Sequence, residues 1–361
     1  MRKIVIASDS YKGCLSSSEV ACAMSRGIAE VYPDCQIVKL AVADGGEGTV
    51  EALVDTLRGH LEWAVVSDPL GRPVKAAYGV ARDLAIIESA AACGLTLLKR
   101  EERNPLLAST KGLGELILAA IEKGCRRFLI GLGGSATNDG GMGMISAEGF
   151  LKKARGLEFT VACDVDTPYI GENGASRVFG PQKGASPEDV EVLEERLREY
   201  AARILEDTGI DVSNMPGAGA AGGLGGAFRA YLGAELKRGV DLVMDQIGFD
   251  SIIADADLVI TGEGCSDYQT LKGKLSMLRV SKHRQPLKGK TAAGVLERAH
   301  RHGIPVALVS GAIRDEQLLR DGGFEIIQAV SPAGLSHAEA VRPEIARENI
   351  YKAIKKVLAY E

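Results

Sequence analysis

Short runs of β-branched and aliphatic residues alternate with longer segments of helical periodicity along almost the whole chain. These runs predict strands at 3–7, 36–42, 62–66, 75–80, 84–88, 128–131, 159–164, 257–261, 305–310 and 325–330. A strand, a helix and a second strand in succession form a unit whose two strands run parallel. The alternation therefore predicts an α/β protein built on mainly parallel sheets.

Several helix termini carry capping signals. Ser16 is followed three residues later by Glu19, which is a capping box. Ser186 is followed by Pro187, the residue favoured at the first helical position. A further helix is predicted over 345–358, where apolar residues recur with helical period.

Length and composition indicate two domains. A chain of 361 residues with 46% hydrophobic and 25% charged residues is globular and too long for one small core. No change in composition marks a linker, so we expect the chain to cross between domains more than once. We predict one discontinuous α/β domain, 1–65 with 252–361, and an inserted α/β domain, 66–251.

Charge and hydropathy exclude several classes of function. The net charge of −5 disfavours a nucleic-acid surface. No apolar stretch is long enough for a signal peptide or a membrane span. Seven scattered cysteines without a Cys-x-x-Cys pair indicate reduced thiols. We therefore expect a cytoplasmic protein whose partners are small molecules, with no nucleic acid and no membrane.

Glycine-rich polar loops follow the predicted strands repeatedly. They occur at 9–13, 44–49, 131–141, 164–168, 217–223 and 261–264. In open α/β sheets ligands bind at the carboxyl ends of strands. Glycine lets backbone N–H groups converge on an anion, and a following helix adds its positive end. The loops therefore indicate phosphate binding.

Three common motifs fail on inspection. The Gly131-x-Gly133-x-x-Ala136 pattern lacks the strand ending in an acidic residue that a dinucleotide site requires. A Walker A loop before Thr291 would need glycine where the chain has Arg284. The nucleophile elbow would need glycine at Thr137. What remains is phosphoryl transfer, which uses loop carboxylates, a divalent cation and positively charged side chains.

Seven segments stand out along the chain. They are Asp-Ser-Tyr-Lys-Gly at 9–13, Val-Ala-Asp-Gly-Gly-Glu-Gly-Thr at 42–49, Gly-Gly-Ser-Ala-Thr-Asn-Asp-Gly-Gly at 133–141, Ala-Cys-Asp-Val at 162–165, Phe-Gly-Pro-Gln-Lys-Gly-Ala at 179–185, Gly-Ala-Gly-Ala-Ala-Gly-Gly at 217–223 and Ile-Thr-Gly-Glu-Gly at 260–264. Together they resemble the bacterial glycerate kinase family, the type found in glycerate and glucarate catabolism. The resemblance implies one discontinuous Rossmann-like domain and one inserted flavodoxin-like domain, with the active site in the cleft between them. It also implies ATP, Mg²⁺ and the conversion of D-glycerate to 2-phosphoglycerate.

Residue chemistry and loop position then suggest catalytic roles. Asp139 is the first candidate for the base that accepts the proton of the attacking hydroxyl, and Asp44 is the second. Lys12 and Lys183 are expected to hold the carboxylate of glycerate or the γ-phosphate.

The remaining candidates fall into three binding groups. Nucleotide phosphates are assigned to Gly133, Gly134, Ser135, Thr137, Asn138, Gly219 and Gly222. Substrate binding is assigned to Asp9, Ser10, Glu47 and Arg177. Magnesium is assigned to Asp164 and Glu263.

The sequence departs from the family pattern in two places. The stretch 150–161 is shorter than family members usually have. The stretch 275–290 is an insertion after which Leu-Lys-Gly-Lys recurs, so either Lys274 or Lys290 takes the place of the family lysine. The basic insertion is interpreted either as a surface loop or as a lid over ATP.

Other functions remain open at this stage. A binding protein on the kinase fold could sense glycerate or nucleotide without turnover, and the same scaffold could phosphorylate another small hydroxy acid. The hydroxyl that is phosphorylated, the domain that holds the nucleotide and the oligomeric state are left open.

Overall fold

The structure is a computed structural model and describes residues 1–43, 48–271 and 291–360. Its strands are β1 (Lys3–Ser8), β2 (Gln36–Ala41), β3 (His60–Ser67), β4 (Pro73–Ala81), β5 (Leu84–Glu88), β6 (Arg127–Gly131), β7 (Glu158–Ala162), β8 (Glu235–Lys237), β9 (Leu258–Thr261), β10 (Cys265–Ser266), β11 (Val306–Ser310), β12 (Ala312–Ile313) and β13 (Ile326–Ala329).

The α-helices of the same ranges are α1 (Ser17–Val31), α2 (Thr49–Thr56), α3 (Ala90–Cys93), α4 (Lys111–Glu122), α5 (Met142–Ser146), α6 (Phe150–Ala154), α7 (Ala175–Phe179), α8 (Pro187–Thr208), α9 (Ala220–Leu232), α10 (Gly239–Ile247), α11 (Phe249–Ile253), α12 (Thr291–Arg301), α13 (Glu316–Asp321), α14 (His337–Ala340) and α15 (Pro343–Val357). Short 3₁₀ turns occur at Leu95–Leu97, Arg100–Glu102, Pro181–Lys183, Tyr268–Leu271 and Leu358–Tyr360. Within the described residues, no helix is both long and apolar enough to cross a membrane.

The chain divides into two compact units. One consists of Met1–Asp44 with Val243–Glu361, and the other is the continuous segment Gly45–Leu242. The domain limits that the sequence suggested, 1–65 with 252–361 and 66–251, stay a prediction. They differ from this division at 45–65, which contains α2 and most of β3, and at 243–251, which contains the end of α10 and the start of α11. Strand β3 pairs with β4 along its whole length.

The discontinuous unit contains a five-stranded sheet in the order β13-β11-β9-β1-β2. All of its strand pairs are parallel. The helices α1 and α15 pack together, and they come so close that a Cβ on Gly27 would lie 3.0 Å from the carbonyl oxygen of Tyr351. Aliphatic side chains of β1, α1 and α15, among them Ile6, Met24 and Ile354, form one buried cluster. Because all five strands run parallel, their carboxyl ends lie at the same end of the sheet, where ligands bind in open α/β folds.

The continuous unit contains a six-stranded sheet in the order β3-β4-β5-β6-β7-β8. Strands β5 to β8 are parallel, and the pairs β3–β4 and β4–β5 are antiparallel. Phe128 and Phe159 stack in its core with ring centroids 4.7 Å apart. The prediction of an α/β protein with mainly parallel sheets is confirmed, and each predicted strand overlaps an observed one.

Candidate active site

The loop that follows β6 in the continuous unit holds the densest group of predicted site residues. Gly133 and Gly134 are exposed, whereas Ser135, Thr137 and Asn138 are buried. Gly134 has a φ of 75°, a conformation that residues with a side chain rarely adopt. The loop thus presents exposed backbone at its start and buries its polar side chains further on.

Lys183 is held against this loop. It lies in the 3₁₀ turn Pro181–Lys183, and only 2% of its surface is exposed. Its Nζ donates to Ser135 Oγ at 3.1 Å and to the carbonyl oxygen of Thr137 at 2.6 Å. Burial lowers the pKa of Lys183 to about 7, although Asp139 and Cys93 act to raise it. The structure therefore brings Lys183, Ser135 and Thr137 together around one ammonium group.

Asp139 lies at the other end of the loop, beside the start of α5. Its Oδ2 accepts hydrogen bonds from the backbone N–H and the hydroxyl of Thr110 at 2.7 and 2.9 Å, and from Gly143 N at 3.1 Å. Its Oδ1 accepts one from Gly141 N at 3.1 Å. Burial raises the pKa of Asp139, and these hydrogen bonds oppose that shift. The carboxylate therefore anchors the loop, and Oδ1 is the oxygen with the greater remaining capacity to accept.

Sequence reasoning missed Thr110. It is fully buried just before α4, and besides donating to Asp139 its hydroxyl accepts from Met144 N at 2.9 Å. A threonine before an apolar helical run is a common capping signal, but nothing in the sequence pairs it with a carboxylate 29 residues away.

Sequence reasoning also missed Glu88, a carboxylate at the carboxyl end of β5. It pairs with Gly131 in the sheet and accepts from Val50 N at 3.1 Å. Burial is the main cause of its raised pKa. An acidic residue ending a buried strand was the available signal.

Packing explains why Gly219 and Gly222 have no side chain. A Cβ on Gly219 would lie 2.1 Å from the carbonyl oxygen of Pro168, and a Cβ on Gly222 would lie 2.1 Å from that of Thr137. Ala221, between them in the chain, has a φ of 51° and a ψ of 40°. This segment lies directly against the loop after β6, since Gly140 N donates to the carbonyl oxygen of Gly222.

Two other predicted residues of the continuous unit have partners of their own. Arg177 on α7 makes a bidentate pair with Glu191, at 2.6 and 2.9 Å. Asp164, just after β7, accepts from Gly239 N at the start of α10, at 3.0 Å. Neither of these contacts involves Lys183 or Asp139.

The loop after β1 carries the predicted residues of the discontinuous unit. Asp9 Oδ1 accepts from Ser10 N at 2.6 Å, and Asp9 Oδ2 accepts from the hydroxyl of Thr291 at 2.7 Å. Thr291 is the first residue of α12 and is buried. Lys12 is exposed on the same loop. Asp9 is therefore placed at a helix N-terminus, a location that favours negative charge.

Glu263 is the buried carboxylate of this unit. Its Oε1 accepts from the hydroxyls of Ser266 at 3.0 Å and Thr270 at 2.8 Å, and Ser266 Oγ lies 2.8 Å from Ser310 Oγ. These hydroxyls were not predicted, because their proximity depends on the folded loops after β9 and β11.

Glu263 and Asp164 each fit magnesium chemistry as single ligands, because Mg²⁺ takes carboxylate oxygens. In 1–43, 48–271 and 291–360, no group of three or more His, Cys, Asp or Glu side chains is placed to hold a metal. A magnesium ion bound to a phosphate does not need such a group, because phosphate oxygens and water complete its coordination.

Some predicted residues fall outside the described ranges. They are Asp44 and Glu47, the insertion 275–290, and both Lys274 and Lys290. Their predicted roles stay predictions.

Comparison with known proteins gives a consistent result. The sequence model described as "Glycerate kinase family" matches residues 4–153 and 145–286. The chain is 40% identical to glycerate kinase of Bacillus subtilis and 41% identical to glycerate 2-kinase of Escherichia coli, each over 99% of this chain and 97% of the relative. Both alignments span 388 positions, so these relatives carry residues that this 361-residue chain lacks.

A solved structure is similar over the same extent. The crystal structure of a protein provisionally named glycerate kinase 2 from Salmonella typhimurium LT2 has a TM-score of 0.84 and 38% sequence identity. The similarity covers 99% of this chain and 98% of that one.

The buried ammonium group of Lys183 predicts a pH-dependent stability. In the unfolded chain a lysine keeps its proton up to about pH 10, whereas Lys183 in the folded protein has a pKa of about 7. Between these values the unfolded state binds more protons, so the free energy of unfolding rises with pH by up to about 1.4 kcal/mol per unit.

Urea unfolding at pH 7, 8, 9 and 10 measures this effect. Lys183→Met should lose the rise, and Lys152→Met, which removes an exposed lysine of α6, controls for the loss of one charge. If the free energy of unfolding changed with pH in the same way for wild type and Lys183→Met, the lowered pKa of Lys183 would be contradicted.

The left-handed backbone at Ala221 predicts that Ala221→Gly raises stability by about 0.5 kcal/mol. The relief of the left-handed conformation, about 1–2 kcal/mol, exceeds the entropic cost of glycine, about 0.5–1 kcal/mol. The matched control is Ala202→Gly at an exposed position inside α8, which should lower stability by about 0.5–1 kcal/mol. Thermal unfolding of both variants tests the difference in sign, and equal losses would refute it.

Proposed function

Since the chain belongs to the glycerate kinase family and is a kinase, we propose that it transfers the γ-phosphoryl group of ATP to D-glycerate and forms 2-phosphoglycerate. The observation that carries this proposal is full-length similarity to enzymes named glycerate kinase and glycerate 2-kinase. We place the reaction in the cytoplasm, where the seven cysteines, which are thiols rather than disulfides in the structure, would stay reduced.

The contacts of Lys183 support a phosphate-binding role for the loop after β6. In phosphoryl transfer the protein mainly positions the reactants and stabilises charge. A phosphate beside Lys183 would stabilise its protonated form, because an opposite charge offsets the desolvation that lowers its pKa. Gly133 and Gly134 would supply backbone donors, and Ser135 and Thr137 are already held by the same ammonium group.

Asp139 is proposed as the base, through Oδ1. Its raised pKa suits a group that accepts a proton near neutral pH. Thr110 is a positioning residue, since it holds Oδ2 and leaves Oδ1 with one backbone partner. Asp44 remains the alternative base.

The loop residues of the discontinuous unit, together with Arg177 and Asp164 of the continuous unit, would bind charged groups of the reactants. Lys12 and Ser10 are proposed to contact an anionic group, with Asp9 and Arg177 as further substrate contacts. Mg²⁺, when bound, would neutralise charge on the transferred group, and Glu263 or Asp164 would each supply one carboxylate. Glu47 stays among the substrate candidates.

The first test is ADP release with Mg-ATP and D-glycerate, beside L-glycerate and a reaction without acceptor. We expect release that depends on D-glycerate, with 2-phosphoglycerate identified by ³¹P NMR. ADP release with a different hydroxy acid, and none with D-glycerate, would assign that acid as the substrate. ATP binding without ADP release in the presence of any acceptor would favour a sensor.

The second test asks whether Asp139 acts as the catalytic base or only anchors the loop after β6. Asp139→Asn should lower kcat about 10²–10⁴-fold, the usual contribution of general base catalysis, while nucleotide binding is kept. Because this variant could also weaken the loop, Thr110→Val is compared with it: removing one anchoring hydroxyl should lower stability with a much smaller loss of kcat. Near-normal turnover by folded Asp139→Asn would exclude the base role.

A further inference from the structure

A cavity of about 510 Å³ opens beside the loop after β6 in the continuous unit. Its walls come from four segments: the loop 105–109, the end of the loop after β6, the helices α5 and α6, and one face of α8. They are Pro105, Leu106, Leu107, Ala108, Ser109, Asn138, Asp139, Met142, Gly143, Ile145, Ser146, Leu151, Arg196, Tyr200 and Arg203. Ligand sites in proteins commonly have volumes of about 300–1,000 Å³. The cavity is therefore large enough for an organic ligand and far larger than a three-carbon acid.

The charged groups on the α8 wall are mainly positive. Arg196 and Arg203 are seven residues apart, which places their backbones about 10 Å apart along the helix, and Tyr200 lies between them. Arg196 Nη1 donates to the carbonyl oxygen of Leu106 at 2.9 Å, and Arg203 Nε lies 3.6 Å from Asp207 Oδ2. Each guanidinium has five N–H donors, so these contacts leave donors on both side chains. The wall is suited to an elongated anion rather than to one carboxylate.

A buried acceptor lies on the loop side of the cavity. Asn138 lines it and is 1% exposed, and its Nδ2 donates to Ser176 Oγ at 2.9 Å. Its Oδ1 is buried and has no hydrogen-bond partner in the described part of the chain. An unpaired buried acceptor costs free energy, about 1–3 kcal/mol, and an N–H or O–H group of a ligand would remove that cost.

The remaining wall is apolar. Leu106, Met142, Ile145 and Leu151 line it, and together they offer a surface against which a planar ring can pack. A ligand that satisfies all three walls has an apolar ring, an N–H or O–H donor and an extended anionic group. Glycerate has no apolar part, whereas a purine nucleotide has all three features.

We propose that this cavity binds the adenine nucleotide of the phosphoryl transfer, with Arg196 and Arg203 on its phosphate groups and Asn138 accepting from one of its N–H or O–H groups. The inference rests on the proposed function for the choice of nucleotide over other amphipathic anions. It assigns nucleotide binding to the continuous unit and makes two arginines of α8, absent from the sequence-based candidates, binding residues. Lys183, Gly133, Gly134 and Ser135 do not line the cavity, so the phosphate proposed beside Lys183 is the transferred γ-phosphoryl group, and Arg196 and Arg203 hold the phosphates that remain on ADP.

Equilibrium binding of ADP, measured by titration calorimetry without glycerate, tests the proposal. Loss of a charged hydrogen bond weakens binding about tenfold, so the double variant Arg196→Gln/Arg203→Gln should bind ADP at least tenfold more weakly. The matched control is Arg198→Gln on the same helix: Arg198 does not line the cavity, and a glutamine amide can still donate to its partner Glu194.

A second variant keeps the test independent of the arginines. Ser146→Trp places a large ring at an exposed position on the cavity wall, whereas Glu148→Trp places the same ring at an exposed position that does not line it. We expect ADP affinity to fall at least tenfold for the first and to stay at the wild-type value for the second.

The outcomes separate this inference from the proposed function. Unchanged ADP affinity in both cavity variants overturns the nucleotide assignment, even if the wild type phosphorylates D-glycerate. A raised KM for D-glycerate with unchanged ADP affinity also overturns it and assigns the cavity to the acid. If the wild type shows no glycerate-dependent turnover but its ADP affinity depends on Arg196, Arg203 and Ser146, the nucleotide site stands and the proposed reaction fails.

Discussion

The loop after β6 is fixed by two ionisable groups of opposite sign, the buried Lys183 and the half-buried Asp139, and the site of the continuous unit depends on them. Lys183 holds Ser135 and Thr137 at the start of the loop, and Asp139 is held by Thr110, Gly141 and Gly143 at its end. Each group carries a desolvation cost, visible as the lowered pKa of Lys183 and the raised pKa of Asp139. Buried charges of this kind are retained where they are hydrogen-bonded. The loop therefore has a defined conformation set by side chains rather than by glycine alone.

Glycines complete this arrangement from the opposite side. Tyr169 is fully buried and donates from its hydroxyl to the carbonyl oxygen of Gly140 at 3.0 Å. A Cβ on Gly223 or Gly226 would lie within 2.8 Å of its ring or of the neighbouring backbone. The glycine-rich segment 217–226 is thus a close-packed support for the loop after β6, in addition to any contact that Gly219 and Gly222 make with phosphate.

The sequence predicted the elements of the fold well where the physical signal is local. The alternation of apolar runs and helical patterns located the longer strands. The predicted capping box at Ser16, and the predicted N-cap at Ser186 with Pro187 at the first helical position, are present in the structure. Strands β8, β10 and β12 were missed because two or three residues give no periodicity. Asp139 was recognised as a carboxylate on a glycine-rich loop, and Lys183 as a candidate cation. Thr110 beside Asp139, and the three hydroxyls around Glu263, were not, because those contacts join segments that only the tertiary structure brings together.

The contacts around the loop after β6 join residues that are far apart in the sequence, and this separation affects when the site forms during folding. Thr110, the loop after β6, Lys183 and Gly222 come from segments spread over more than a hundred residues, and each contact closes a long stretch of chain. Contacts of high sequence separation form late, because the entropy of closing the chain is lost before they contribute stabilisation. A nascent chain released after α7 would contain the whole loop after β6 but neither Lys183 nor Gly222. The site of the continuous unit therefore cannot form segment by segment during synthesis. It can bind its ligands only when the whole unit has folded.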